Sequence, residues 1–258
     1  MKKDTSWGDV AGWYDELLET SEDSYQKQVI LPNLLRLLSI KKGDRILDLA
    51  CGQGFFARAM ADAGATVVGV DAATELIALA KKHSPKSISY YALPADRLDM
   101  LDTGSFDTVV IVLAIQNIKD MSAVFAACNR VLARNGRLVM IINHPAFRIP
   151  KRSSWGWDIA GGVQYRRVDA YLTESSAAIE MHPGLKDKEK TLSFHRPMQS
   201  YINALAKQGF AVTRMEEWIS HRESMKGPRQ VAENKIRKEI PLFMMLEARK
   251  LGGSATLT

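Results

Sequence analysis

Hydrophobic and polar positions along the chain change period repeatedly, and each change marks an element. From Lys41 onward, short β-branched apolar runs alternate with stretches whose apolar residues recur every three or four positions. The first pattern is that of a buried strand and the second that of a helix with one apolar face. The runs predict strands over Arg45–Leu49, Thr66–Val70, Ser87–Tyr91, Phe106–Leu113 and Arg137–Asn143. The spacing between them predicts helices over Phe55–Ala63, Thr74–Lys82 and Met121–Leu132, with a short turn or helix around Ala95–Leu101. Gly64 stops the first helix and Pro85 follows the second, both ordinary helix-ending residues. Strict alternation implies a parallel sheet with helices on both faces, because parallel neighbours require crossover connections.

The alternation breaks at Pro145. Residues 145–198 carry Trp155, Trp157, several glycines and two short polar stretches read as helical, and they close on Thr191–His195. A helix then resumes over Met198–Gln208, ended by Gly209, and strands follow at Ala211–Ile219 and Leu242–Ala248. A charged helical connection around Arg229–Glu239 joins those two strands. The chain therefore divides into an N-terminal helical cap (1–40), a core (41–144), an inserted lid or acceptor-binding region (145–198) and a completion of the core sheet (199–258). The architecture is α/β, with a mostly parallel seven-stranded sheet flanked by helices. Insertions over strand ends commonly act as lids.

Composition narrows the class. At 258 residues, with 46% apolar and 25% charged residues, the chain can bury one large core plus a lid. No apolar run reaches the roughly 18 residues that a membrane span needs, and Met1–Trp7 lacks the apolar stretch of a secretory signal. Cys51 and Cys128 have no nearby partner, so neither a disulfide framework nor a metal site is expected, and a reducing cytoplasmic setting fits. The net charge of +6 is uneven: residues 1–144 sum to −1 and residues 145–258 to +7. A basic half attracts acidic small molecules or nucleic acid.

The first strand runs into Asp48-Leu-Ala50-Cys-Gly52-Gln-Gly54. Two glycines there let the backbone turn sharply and approach a ligand. Asp71 ends the second strand, nineteen positions after Gly52, placed to accept both hydroxyls of a ribose. Gly52-Gln-Gly54-Phe-Phe-Ala57 also fits a dinucleotide fingerprint. Asp48 decides against that reading, since its carboxylate would repel a pyrophosphate on this loop and would instead help to hold an ammonium group.

These residues resemble motif I, and the acid after it, in class I S-adenosylmethionine-dependent methyltransferases. The likeness is greatest to the methyltransferase type 11 group, which includes ubiquinone and menaquinone biosynthesis enzymes. Further segments are similar in the same order. Ala92-Leu-Pro-Ala-Asp96-Arg97-Leu resembles the segment whose acid meets the adenine amino group. Ser105–Leu113 resembles motif IV, and Arg130–Leu138 the helix, turn and strand after it. Val10-Ala-Gly-Trp-Tyr14-Asp15 resembles an element whose tyrosine closes over the cofactor. The resemblance covers about residues 7–144 and 195–219. It implies the Rossmann-like class I methyltransferase fold, S-adenosyl-L-methionine as cofactor and S-adenosyl-L-homocysteine as product. Carried over by position, it implies cofactor contacts at Asp48, Ala50, Gly52, Gly54, Asp71, Ala72, Asp96, Arg97, Leu113 and Asn117.

Methyl transfer from a sulfonium needs in-line placement of a nucleophile, and a base only where the acceptor must lose a proton. The candidates for that chemistry are His144, directly after the fifth strand, His195, and Tyr14. Arg148, Trp155, Tyr165 and Arg196 are candidates for the acceptor pocket, as aromatic walls and a carboxylate clamp. The reading reached is methyl transfer to a small, acidic or aromatic metabolite. The alternatives are an RNA-modifying methyltransferase, for which the basic, aromatic second half speaks, and, more distantly, a non-catalytic cofactor-binding protein or an oxidoreductase. Neither the attacked atom nor the oligomeric state is written in these residues.

Overall fold

The computed structural model describes residues 7, 8, 10–180 and 190–252. The first six residues and residue 9 of the cap, residues 181–189 of the inserted region, and 253–258 lie outside the described residues.

The chain begins with α1 (Ala11–Thr20), followed by a π-helical turn, Gln26–Ile30, that runs into α2 (Leu31–Leu38). Leu34, Leu37 and Leu38 fall on one face of α2 and are buried, as a helix packed by one stripe requires. The core then alternates: β1 (Arg45–Leu49), α3 (Phe55–Asp62), β2 (Thr66–Asp71), α4 (Thr74–His83) and β3 (Ser89–Ala92). It continues through β4 (Phe106–Val112), a 3-10 turn at Ile115–Asn117, α5 (Met121–Val131) and β5 (Leu132–Asn143). Ala95–Leu101, read as a turn or helix, is non-helical turn structure.

Beyond β5 the inserted region differs from its reading. Its described part forms two antiparallel hairpins, β6 (Ser153–Asp158) with β7 (Val163–Val168), and β8 (Ser175–Glu180) with β9 (Lys190–His195). Ser-Ser-Trp-Gly-Trp-Asp and Val-Gln-Tyr-Arg-Arg-Val carry aromatic and β-branched residues at strand spacing. Gly161 and Gly162, the latter at φ +61°, make the turn between them. Polarity in a two-sided exposed hairpin obscures the period of two on which strand recognition depends. The core is completed by α6 (Met198–Lys207), β10 (Phe210–Trp218), α7 (Gln230–Glu239) and β11 (Phe243–Lys250).

The main sheet has seven strands in the order β10-β11-β5-β4-β1-β2-β3. β11 runs antiparallel to both β5 and β10, while the pairs among β1 to β5 are parallel. Central β4 is buried from Thr108 to Val112, which is why it reads as a continuous apolar run rather than an alternating one. One apolar cluster lies between the sheet and α5 and α6, with Phe125, Val131 and Leu205 at its centre. Another lies between the sheet and α2, α3 and α4, around Leu34, Met60 and Ile77.

Strand order reverses at β1, which pairs β2 on one side and β4 on the other, with Asp48 opposite Gly69 and Val110. Chains leaving β1 and β4 therefore diverge to opposite sides and open a crevice at their carboxyl ends. Ala50 at φ +61° and Leu113 at φ +52° make those exits. Non-glycine residues held in this region store strain, and such residues cluster at functional sites.

Gly54 caps α3 at φ +84°, and a Cβ there would stand 2.5 Å from the Tyr90 hydroxyl oxygen. Gly54→Ala is expected to destabilise the fold by ~2–4 kcal/mol from backbone strain and collision together. Adding Tyr90→Phe is expected to recover part of the loss, as read by denaturant unfolding of the single and double variants.

Candidate active site

A cavity of about 750 Å³ occupies the crevice at the ends of β1, β2 and β4. The glycine loop forms its floor. Asp71 Oδ2 accepts from the Gly52 backbone N–H at 2.9 Å, and Asp71 Oδ1 from the Ala73 N–H at 2.9 Å. A third bond, Cys51 N–H to the Val70 carbonyl at 3.0 Å, seats the loop on the end of β2. Each Asp71 oxygen keeps a lone pair for a ligand, and the residue borders the cavity.

Asp48 also borders the cavity and is only 1% exposed. Its Oδ2 has no hydrogen-bond partner among the described residues. Burial, and next the charge of Asp71, push its carboxyl up to about 7, against the lowering effect of a backbone hydrogen bond from Ala57. Burial raises Asp71 as well, although bonds from the Ala73, Gly52 and Ala72 backbone oppose the shift. Two buried carboxyls with an orphaned oxygen are poorly satisfied by the protein alone, and a cation-bearing ligand relieves both desolvation and repulsion.

The cap supplies the roof. Tyr14 of α1 and Trp7 meet edge to face, with centroids 5.5 Å apart, and both border the cavity. The Tyr14 hydroxyl is held well above the ordinary phenol range by burial first, then by Asp71 and Asp48, so it stays protonated. Helix α1 is tied to the loop beneath it. Glu19 Oε1 accepts from Gln53 Nε2 at 3.1 Å and from Arg58 Nη2 at 2.6 Å. Farther back, His83 Nε2 lies 3.0 Å from Asp15 Oδ2.

Ala50, Gly52, Ala72, Asp96, Arg97, Leu113 and Asn117 complete the cavity wall together with Asp48 and Asp71. Gly54 stands behind it, in the turn into α3. The segments on which the cavity's other wall rests were not among the sequence candidates: Ile118–Asp120 and β9, through Lys190, Thr191, Leu192 and Phe194. Their signal was the alternation within Lys190–His195.

Several candidates lie away from the cavity. His144 is buried, with Nε2 2.6 Å from Glu217 Oε1 and Nδ1 accepting from the Ala146 N–H at 3.2 Å. Burial lowers its pKa despite Glu217. His195 follows cavity-lining Phe194, but successive residues of a strand face opposite ways, and its Nε2 meets the Tyr171 carbonyl at 2.7 Å. Arg196 Nη2 donates to the carbonyls of Ile118 at 2.8 Å and Lys119 at 2.6 Å. It thereby fastens the second hairpin to the loop after β4. Trp155 lies under Arg166, 4.9 Å from ring centroid to guanidinium carbon, and Tyr165 packs over Gly156. Arg148 stands over Phe243 at 5.5 Å. None of these six candidates borders the cavity.

Comparison with known proteins bears on what the cavity holds. Residues 47–140 match the family model described as a methyltransferase domain. Among curated proteins, a ubiquinone biosynthesis O-methyltransferase of Xanthomonas oryzae pv. oryzae is 35% identical over 101 residues, covering 38% of this chain and 42% of the relative. The protein of the same name from Xanthomonas euvesicatoria pv. vesicatoria is 32% identical over 136 residues, covering 50% and 54%. The matches thus span about half the length of these relatives. Among solved structures, an S-adenosylmethionine-dependent methyltransferase from Mesorhizobium loti superposes with TM-score 0.69 at 27% identity, covering 90% of this chain and all of that one. The glycopeptide N-methyltransferase MtfA, solved with sinefungin, shares the fold at TM-score 0.58 and 18% identity, covering 86% of this chain and 93% of that one.

A carboxyl that ionises at 3.8 when unfolded and at about 7 when folded binds more protons in the folded state. Its stabilising contribution is complete below pH 3.8 and is lost as pH rises through 7, by up to about 4 kcal/mol. The ligand-free protein is expected to lose unfolding temperature between about pH 5 and pH 7.5, and Asp48→Asn to lose distinctly less. Parallel declines in the two proteins would remove Asp48 as the cause.

Proposed function

We propose that this chain, whose residues 47–140 are a methyltransferase domain, binds S-adenosylmethionine in the cavity and methylates a small-molecule acceptor. The observation that carries this reading is the orphaned Asp48 oxygen beside Asp71. It suits the ammonium group of the cofactor's methionine end and is hostile to a pyrophosphate. In this reading Asp71 accepts the ribose hydroxyls. The exposed Asp96 and Arg97 flank the adenine with Ala72 and Asn117, and Leu113 lies toward the methyl group. Tyr14 and Trp7 shield the reacting end from water and keep it in place. When bound, the cofactor supplies an activated methyl group on a sulfonium whose leaving form is a neutral thioether.

The relatives' printed name, ubiquinone biosynthesis O-methyltransferase, supports a small-molecule acceptor and an oxygen nucleophile. In the second half of the chain, Arg166 and Arg229 stand over one face of Trp155 and of Trp157, at 4.9 and 4.7 Å, which leaves a base at most the other face of each ring.

S-adenosylhomocysteine is expected to bind and to raise the unfolding temperature, and Asp71→Ala to weaken binding by about 100-fold, or ~3 kcal/mol for two hydrogen bonds to a charged acceptor. The ammonium group requires ionised Asp48, so affinity is expected to fall as pH drops below about 7. Above that value it should level off. Calorimetric titration from about pH 5.5 to 8 checks both, and absence of any binding to wild type would refute the proposal.

A further inference from the structure

Among the described residues, Arg148 is a cation without a counterion. Its backbone N–H donates to the His144 carbonyl at 2.8 Å, which fixes it just past the end of β5. Its half-buried guanidinium stands 5.5 Å above the Phe243 ring. No described residue accepts a hydrogen bond from it. The titratable groups that act on it are Tyr25 and Arg166, and neither is an anion.

Its neighbours are better served. Arg166 donates to the Phe147 carbonyl at 2.7 Å and to Ser153 Oγ at 2.8 Å. Arg222, 4.8 Å over the Tyr25 ring, pairs with Asp23 at 3.3 Å. A charge withdrawn from water and left unpaired weakens a fold, so a ligand that completes it gains what the protein lacks. A guanidinium over an aromatic face, with its fork free, matches a planar carboxylate.

Position links this cation to the cavity. Tyr25 packs at 5.6 Å on Phe243, the ring over which Arg148 stands. The next residue, Gln26, lies close enough to Tyr14, on the cavity roof, to act on its hydroxyl. Both lie where the chain enters its π-helical turn, and such turns are frequent at functional sites. Arg148 thus stands behind the Tyr14 side of the cavity, where cap, inserted region and the start of β11 converge.

We propose that Arg148 binds a carboxylate of the methyl acceptor, against Phe243 and Tyr25, while the acceptor's reacting atom reaches the cavity past Tyr14. This rests on the methyltransferase reading given above.

The test uses the full chain saturated with S-adenosylhomocysteine, titrated with benzoate, benzamide or inorganic phosphate at constant ionic strength, and followed by thermal unfolding and calorimetry. The S-adenosylhomocysteine shift alone, read first, reports on the methyltransferase reading separately. Benzoate is expected to stabilise the wild type, and benzamide and phosphate to do so at least tenfold more weakly. Arg148→Gln is expected to weaken benzoate at least tenfold, Arg148→Lys to retain part of the affinity, and Arg152→Gln, an exposed neighbour, to retain all of it. Without benzoate, Arg148→Gln is expected to unfold at the same temperature as wild type or higher, whereas loss of a merely structural cation would lower it. Benzoate affinity undiminished in Arg148→Gln, no benzoate response in wild type, or phosphate binding as well as benzoate would each overturn the proposal.

Discussion

The bonds from the Gly52 and Ala73 amides to Asp71 hold the site together. They fix the glycine loop to the end of β2 while leaving the carboxylate on the cavity wall. The parallel pairing of β1 with β2 brings Asp48 to the same place, opposite Gly69. Two acids so close, one of them nearly sealed from water, are tolerated only where something else gains. Here the floor presents two carboxyls whose desolvation and mutual repulsion a cation-bearing ligand would relieve. Preorganisation of this kind has its cost in the ligand-free fold and its return on binding.

The rest of the molecule serves that floor. Strand reversal at β1 opens the crevice, and left-handed Ala50 and Leu113 turn the chain away so that backbone does not fill it. The cap closes it from one side through Tyr14 and Trp7, anchored by Glu19 on Arg58 and Gln53. The second hairpin closes it from another side through Leu192 and Phe194, fastened by Arg196 to the Ile118 and Lys119 carbonyls. Arg196 and His195 are therefore positioned by the same strand that reaches the cavity, yet they work on its far side. Charge follows the same division, with acids at the floor and, behind the roof, an Arg148 that no described residue compensates.

Sequence alone determined the core. β1 to β5, α3 to α5 and the final strand pair are legible because a strand buried on both faces must be apolar throughout, while a helix over a sheet must repeat near 3.6. The glycine loop, Asp48 and Asp71 were legible for a related reason: their placement at the cavity depends on backbone conformation and on adjacency to a strand end, both local properties. Nine of the ten positions expected to meet the cofactor do border the cavity. Gly54 does not, because its freedom is spent on the turn into α3 beneath Tyr90.

What only the tertiary structure decided is which side chains of the inserted region and its neighbours face inward. His144, His195 and Trp155 have the right chemistry, but a partner distant in sequence takes each: Glu217, the Tyr171 carbonyl and Arg166. Their availability depended on contacts spanning 73, 24 and 11 positions, which no local pattern encodes. The first hairpin was hidden because strands exposed on both faces need not alternate. Arg148 shows the converse. Its residue type marked it as a ligand for acids, but only packing showed that no described residue supplies one.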